Sequence, residues 1–167
     1  SNPRESNCDL FHLGHASTAL SLACGLVIGR DLNQTKENII ALIGDGALSG
    51  GEAFEALNHL ATLRSNCIII INDNDQSIAE NHGGLYKHLK ELRDTNGACT
   101  NNMFKALGFD YHYIEEGNSV LSLIAEFKSV INYPRPIILH IRTTKGFGYT
   151  AAEMAPEDFH NSTSPQA

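Results

Sequence analysis

The stretch Cys67-Ile68-Ile69-Ile70-Ile71-Asn72-Asp73-Asn74 decides how this chain folds. Its apolar run shows no polar alternation, which describes a strand covered on both faces, as inside a parallel sheet. The run stops at Asn72, so the polar trio belongs to the strand's carboxyl end. Upstream, residues 38–43 form a second β-branched run closed by Gly44-Asp45-Gly46, and residues 52–64 carry Phe54, Leu57, Leu60 and Ala61 on one helical stripe. Strand, glycine turn, helix is the reading. Residues 17–30 place Ala19, Leu20, Leu22, Ala23, Leu26 and Val27 at helical spacing, with Ser17 or Thr18 available as the cap. Downstream, helices at 85–92 and 101–107 flank the breaker-rich Asp94-Thr95-Asn96-Gly97, and a strand is expected at 111–114. An amphipathic helix at 119–131 ends before Pro134 and Pro136, which lead into a strand at 137–141. Strands alternating with helices predict an α/β fold, a parallel sheet flanked by helices on both faces and joined by right-handed crossovers.

With 167 residues, 42% of them hydrophobic, the chain is sized for one compact domain, expected over 1–160 and followed by a polar tail at 161–167. A net charge of -7 without any Lys/Arg run argues against nucleic acid or an anionic membrane as partner. A single anion held by local dipoles or by a metal stays open. Cys8, Cys24, Cys67 and Cys99 are scattered and form no CxxC, which argues against a disulfide framework or a zinc site and fits a reducing cytoplasm. No apolar stretch approaches the roughly 20 residues that span a bilayer. The chain begins with Ser1 rather than Met, so a processed product or a piece of something longer is expected.

In parallel sheets, ligands bind beyond the carboxyl ends of the strands. Gly44-Asp45-Gly46, Asn72-Asp73-Asn74 and Thr144-Lys145-Gly146-Phe147-Gly148-Tyr149 each follow a strand, so all three should converge on one edge, with Gly14-His15 joining them. Glycines at 44, 46, 50 and 51 let backbone approach a ligand and favour an anion such as phosphate. A carboxylate at Asp45 would repel that anion unless a cation lay between them. Mg²⁺ meets that need, since it shares itself between carboxylate and phosphate oxygens. Asn74 would add an amide oxygen and Gln76 a backbone carbonyl.

Blander readings stand beside these. Asp45 also reads as a helix cap. Gly44-x-Gly46 superficially matches a nicotinamide-binding Rossmann turn, although Gly50 misses the third position by one. Lys145 reads equally as a solvated loop lysine. Glu55 and His59, one turn apart, read as a helix-surface pair. His12, His82, His88, His112 and His140 show no metal-ligand spacing and read as structural.

The GDG and NDN pair at two strand ends resembles the thiamine-diphosphate motif. Within that superfamily, Gly14-His15-Ala16-Ser17-Thr18, Ile43-Gly44-Asp45-Gly46-Ala47, Glu55-Ala56-Leu57-Asn58-His59, Ile71-Asn72-Asp73-Asn74 and Thr144-Lys145-Gly146-Phe147-Gly148-Tyr149 look like the 1-deoxy-D-xylulose-5-phosphate synthase family, over residues 4–165. The resemblance implies the diphosphate-binding domain of a thiamine-diphosphate and Mg²⁺ enzyme. It assigns Asp45 and Asn74, with Gln76, to the metal. Gly14, His15, Ala16, Gly46, Ala47, Asn74, Lys145 and Tyr149 fall to the cofactor, and His15 and His160 to catalysis, His160 on the substrate side. It further implies that the full enzyme condenses pyruvate with glyceraldehyde 3-phosphate, releasing CO₂, to supply isoprenoid, thiamine and pyridoxal precursors. The partner would be a pyrimidine-binding domain that this sequence lacks, in a homodimer, and the chain alone would be inactive. Ala16 departs from the family's serine, and the connection from 82 to 103 is shorter than usual. An N-terminal half of a transketolase is the nearest rival.

Overall fold

A computed structural model describes residues 2–160. The expected polar tail at 161–167 lies outside the described residues. Four strands make one sheet: β1 (Ile40–Gly44), β2 (Cys67–Asp73), β3 (Asp110–Ile114) and β4 (Pro136–Arg142), in the order β1-β2-β4-β3 and parallel throughout. Seven helices accompany them: α1 (Ala19–Leu32), α2 (Asp45–Leu48), α3 (Gly51–Leu60), α4 (Gly84–Asp94), α5 (Met103–Leu107), α6 (Val120–Val130) and α7 (Thr150–Met154).

The apolar runs explain the sheet. Ile69, Ile71 and Ile138 pack on one face against Leu20, Val27, Leu57, Leu60, Leu89, Leu92 and Phe104 from α1, α3, α4 and α5. Ile68, Ile137, Leu139 and Ile141 pack on the other face against Leu123, Phe127 and Val130 of α6. Each of these large apolar side chains contributes roughly 1.5–3 kcal/mol through burial. The uneven division of helices follows from the strand order. The chain steps one way from β1 to β2 to β3, then back to β4, so crossovers of a single hand must put α6 opposite the others. Over β1 that second face has no helix among the described residues, and Ile40 and Leu42 are 59% and 62% exposed.

Several boundaries differ from the sequence reading. β2 runs through Asn72 and ends at Asp73, because Asn72 and Asp73 still pair with Ile141 and Arg142 of β4. The expected glycine turn is a short helix, α2, with Asp45 as its first residue. The last loop coils into α7, which the sequence reading left out. Thr18 is the N-cap residue of α1, as expected, but its side chain makes no capping hydrogen bond. The Thr18 hydroxyl donates to His15 O at 3.1 Å, and Ser17 takes a left-handed φ of 73° that turns its own hydroxyl toward α2. Glu55 and His59 form no ion pair among the described residues. Real side-chain caps occur at Asn102, whose Oδ1 accepts from Phe104 and Lys105 N–H, and at Ser119, which accepts from Ser122 N–H.

Candidate functional site

Parallel pairing brings the polar strand ends together. Gly44, the last residue of β1, lies in register with Asn72, so Asp45 at the start of α2 comes next to Asp73 at the end of β2. Asp45 is 2% exposed. Burial, with the Asp73 carboxylate adding to it, pushes the Asp45 carboxyl up to about 6. A hydrogen bond from Gly46 works in the opposite direction without cancelling the rise. Asn81 Nδ2 donates to Asp45 Oδ2 at 2.9 Å, and Asn81 Oδ1 in turn accepts from Ser77 Oγ at 2.5 Å.

The loop after β2 is organised by its own side chains. Asp73 Oδ1 accepts from Asp75 N–H and Asn74 Oδ1 accepts from Gln76 N–H, both at 3.1 Å. Gln76 Oε1 is buried and has no hydrogen-bond partner. This loop packs directly on the GDG segment, since a Cβ at Gly46 would overlap Ser77 Oγ. Gly46 is therefore required by close approach.

Ser17, Lys145 and Tyr149 tie three further expected segments to the same edge, and His160 makes no hydrogen bond to it among the described residues. Ser17 Oγ donates to Ala47 O at 2.7 Å, which ties the exposed Gly14-His15-Ala16 turn to α2. Lys145 Nζ donates to the carbonyls of Ser77 and Ile78, so it anchors the 77–78 backbone instead of standing free in solvent. Tyr149 lines an open cleft with Asn72, Thr143, Gly146 and Phe147, and Phe159 packs edge-on against its ring at 5.5 Å. His160, next in sequence, is exposed and bonds through its N–H to Glu157 O.

The oxygen atoms present suit a hard cation. Among the described residues no three His, Cys, Asp or Glu side chains converge. A metal at Asp45 would have one carboxylate, with amide or carbonyl oxygens from the 74–76 loop, a donor set for Mg²⁺ rather than zinc.

Asp73, the middle residue of the NDN trio, faces away from this work. It is fully buried and accepts from both Arg93 Nη1, at 2.7 and 2.6 Å, and His140 Nε2, at 2.7 Å. Burial alone would raise its carboxyl, but the His140 and Arg93 hydrogen bonds outweigh it and hold it below the usual carboxylate range. An ionised carboxylate only accepts, so His140 Nε2 carries a proton, and Nδ1 lies within hydrogen-bond distance of Tyr111 OH at 2.7 Å. Burial, with Tyr113 and Asp73 adding to it, raises the Tyr111 phenol. The sequence reading missed Arg93, Tyr111, Ser77 and Asn81. A buried acid inside the motif was the available signal that a cationic partner must exist elsewhere.

Comparison with known proteins settles the family. Residues 1–101 match the family model described as 1-deoxy-D-xylulose-5-phosphate synthase. The chain belongs to the 1-deoxy-D-xylulose-5-phosphate synthase family. It is 37% identical to the synthase of Alkaliphilus oremlandii over 93% of its own length and 31% of that relative's. The figures are 39%, 97% and 28% for the synthase of Listeria monocytogenes serotype 4b, and 37%, 93% and 27% for that of Buchnera aphidicola. The chain thus spans less than a third of the length of these synthases and corresponds to part of an enzyme. No helix among the described residues is long and apolar enough to cross a membrane.

Proposed function

We propose that residues 1–160 are the diphosphate- and metal-binding unit of a 1-deoxy-D-xylulose-5-phosphate synthase. The observation that carries the reading is Asp45, a buried acid whose carboxyl is raised to about 6 and which, among the described residues, has no basic side chain bonded to it. Such a group is stabilised by an incoming cation. In this reading Asp45, Asn74 Oδ1 and the Gln76 carbonyl hold Mg²⁺. Gly46 and Ala47 approach the diphosphate, with Gly14, His15, Ala16, Lys145 and Tyr149 around the rest of thiamine diphosphate. When bound, that cofactor supplies the carbanion nucleophile for joining pyruvate to glyceraldehyde 3-phosphate with loss of CO₂.

The chain's own residues position and exclude. Ser17 holds the His15 turn against α2, Lys145 fixes the 77–78 backbone, and Asn81 orients the Asp45 carboxylate. His15 and His160 are the side chains assigned to proton handling, His160 toward the substrate. The reaction requires a pyrimidine-binding domain that these 167 residues do not resemble, in a homodimeric cytoplasmic enzyme. Calorimetry tests the reading: thiamine diphosphate binds when Mg²⁺ is present and not when it is withheld. Metal-independent binding of NAD, or turnover of pyruvate and glyceraldehyde 3-phosphate by the chain alone, would overturn it.

A further inference from the structure

Arg93 comes from α4, outside every motif of the site, and its side chain is 8% exposed. It makes contacts to two different acids. Nη1 engages both oxygens of Asp73, the buried end of β2, and Nη2 reaches Asp75 Oδ1 at 2.6 Å in the loop beyond. Asn74 lies between the two acids in sequence.

The loop needs such a hold. Asp75 has a φ of 64°, a left-handed backbone that few residues other than glycine, asparagine and aspartate adopt. The turn's hydrogen bonds come from the side chains of Asp73 and Asn74, so a drift of the Asp73 carboxylate would release the Asp75 N–H. His140 fixes Asp73 from β4, and Thr143 N–H donates to Asp73 O at 2.9 Å. Neither reaches Asp75. A planar guanidinium spans both carboxylates at once, which the single ammonium of a lysine does not.

We infer that Arg93 is a positioning residue of the metal loop: by holding Asp73 and Asp75 together it fixes the turn that presents the Asn74 side-chain oxygen and the Gln76 carbonyl. The inference rests on reading those two oxygens as cation ligands. It gives Arg93 a role in affinity beyond its contribution to folding.

The experiment compares four forms of the 167-residue chain: unaltered, Arg93→Lys, Asp75→Asn and both together. Amide hydrogen exchange at Asp75, Gln76 and Ser77 is measured without metal, and Mn²⁺ affinity with thiamine diphosphate is measured by electron paramagnetic resonance. Asp75 is 55% exposed and asparagine tolerates its φ, so Asp75→Asn leaves the unfolding midpoint unchanged. Each single change is expected to speed exchange at Asp75 and Gln76 and to weaken Mn²⁺ binding roughly tenfold, as for residues that orient metal ligands. The double change should be no worse than either single one. A pure charge effect of Asp75→Asn would persist undiminished in the Arg93→Lys background. That independence, or unaltered exchange in Asp75→Asn, overturns the positioning role. If Arg93→Lys fails to fold, exchange in Asp75→Asn decides alone. If the unaltered chain binds no Mn²⁺ with the cofactor, the cofactor reading falls, while exchange still judges the clamp.

Discussion

Asp45, which opens α2 just past the end of β1, and Asp73, which ends the neighbouring β2, are both nearly inaccessible and have been given opposite surroundings. Asp73 is enclosed by Arg93 and His140, and its carboxyl sits below the usual range. Among the described residues Asp45 has amide donors only, from Asn81 and the Gly46 backbone, and burial lifts its carboxyl to about 6. A fold that needed both acids for stability would have paired both. The difference teaches that Asp73 is an internal support, satisfied by the chain itself, and that Asp45 is the acid left open to the cation proposed above.

The comparison breaks most sharply if Asp73 is made to resemble Asp45. Arg93→Met leaves a buried, half-compensated carboxylate and should destabilise the chain by about 3–5 kcal/mol, read from urea unfolding at neutral pH. Asp45→Asn works in the other direction. The folded chain holds the Asp45 proton more tightly than the unfolded chain, so ionisation costs stability as pH rises from about 4 to about 6. Above that window the variant should gain up to about 3 kcal/mol in the absence of metal, with no gain below pH 4, and it should lose Mg²⁺-dependent cofactor binding. Equal stability of variant and parent across that range would remove the contrast.

The same titration sets the affinity of the unaltered chain. In the proposed reading Mg²⁺ binds the ionised carboxylate, so calorimetric affinity should fall by about tenfold per pH unit below about 6. Asp73 gives no such loss there, since its depressed carboxyl stays ionised and its contribution fades only at lower pH. The smallest effect is expected at the far end of the support. Tyr111→Phe removes the hydroxyl that reaches His140 Nδ1 and should cost about 1 kcal/mol, measured by the same unfolding experiment, without changing Mg²⁺ affinity.

The sheet and the convergence of its polar ends were legible because the signals are local. An unbroken run such as 67–71 admits few structures, and parallel strands carry whatever follows them to one edge. The contacts that complete the site are not local. Arg93 sits in α4 among Lys87, His88 and Lys90, and nothing in their spacing says which of these turns inward. Lys90 pairs with Asp94 on the surface, and Arg93 crosses to β2. Ser17 looked like a helix cap because its neighbours are helical, but its partner is Ala47, reached only once α2 is folded. The role of Asp73 was hidden for a similar reason. Its motif neighbours suggested the metal, and only the packing of β4 supplied His140.

The open side of β1 has a practical consequence. Among the described residues no strand pairs with β1 on its outer side, the 8–13 segment shares a cleft with it, and Ile40 and Leu42 are exposed. An edge of that kind templates further strands, so self-association of concentrated samples should begin there, and a lysine at position 42 should suppress it.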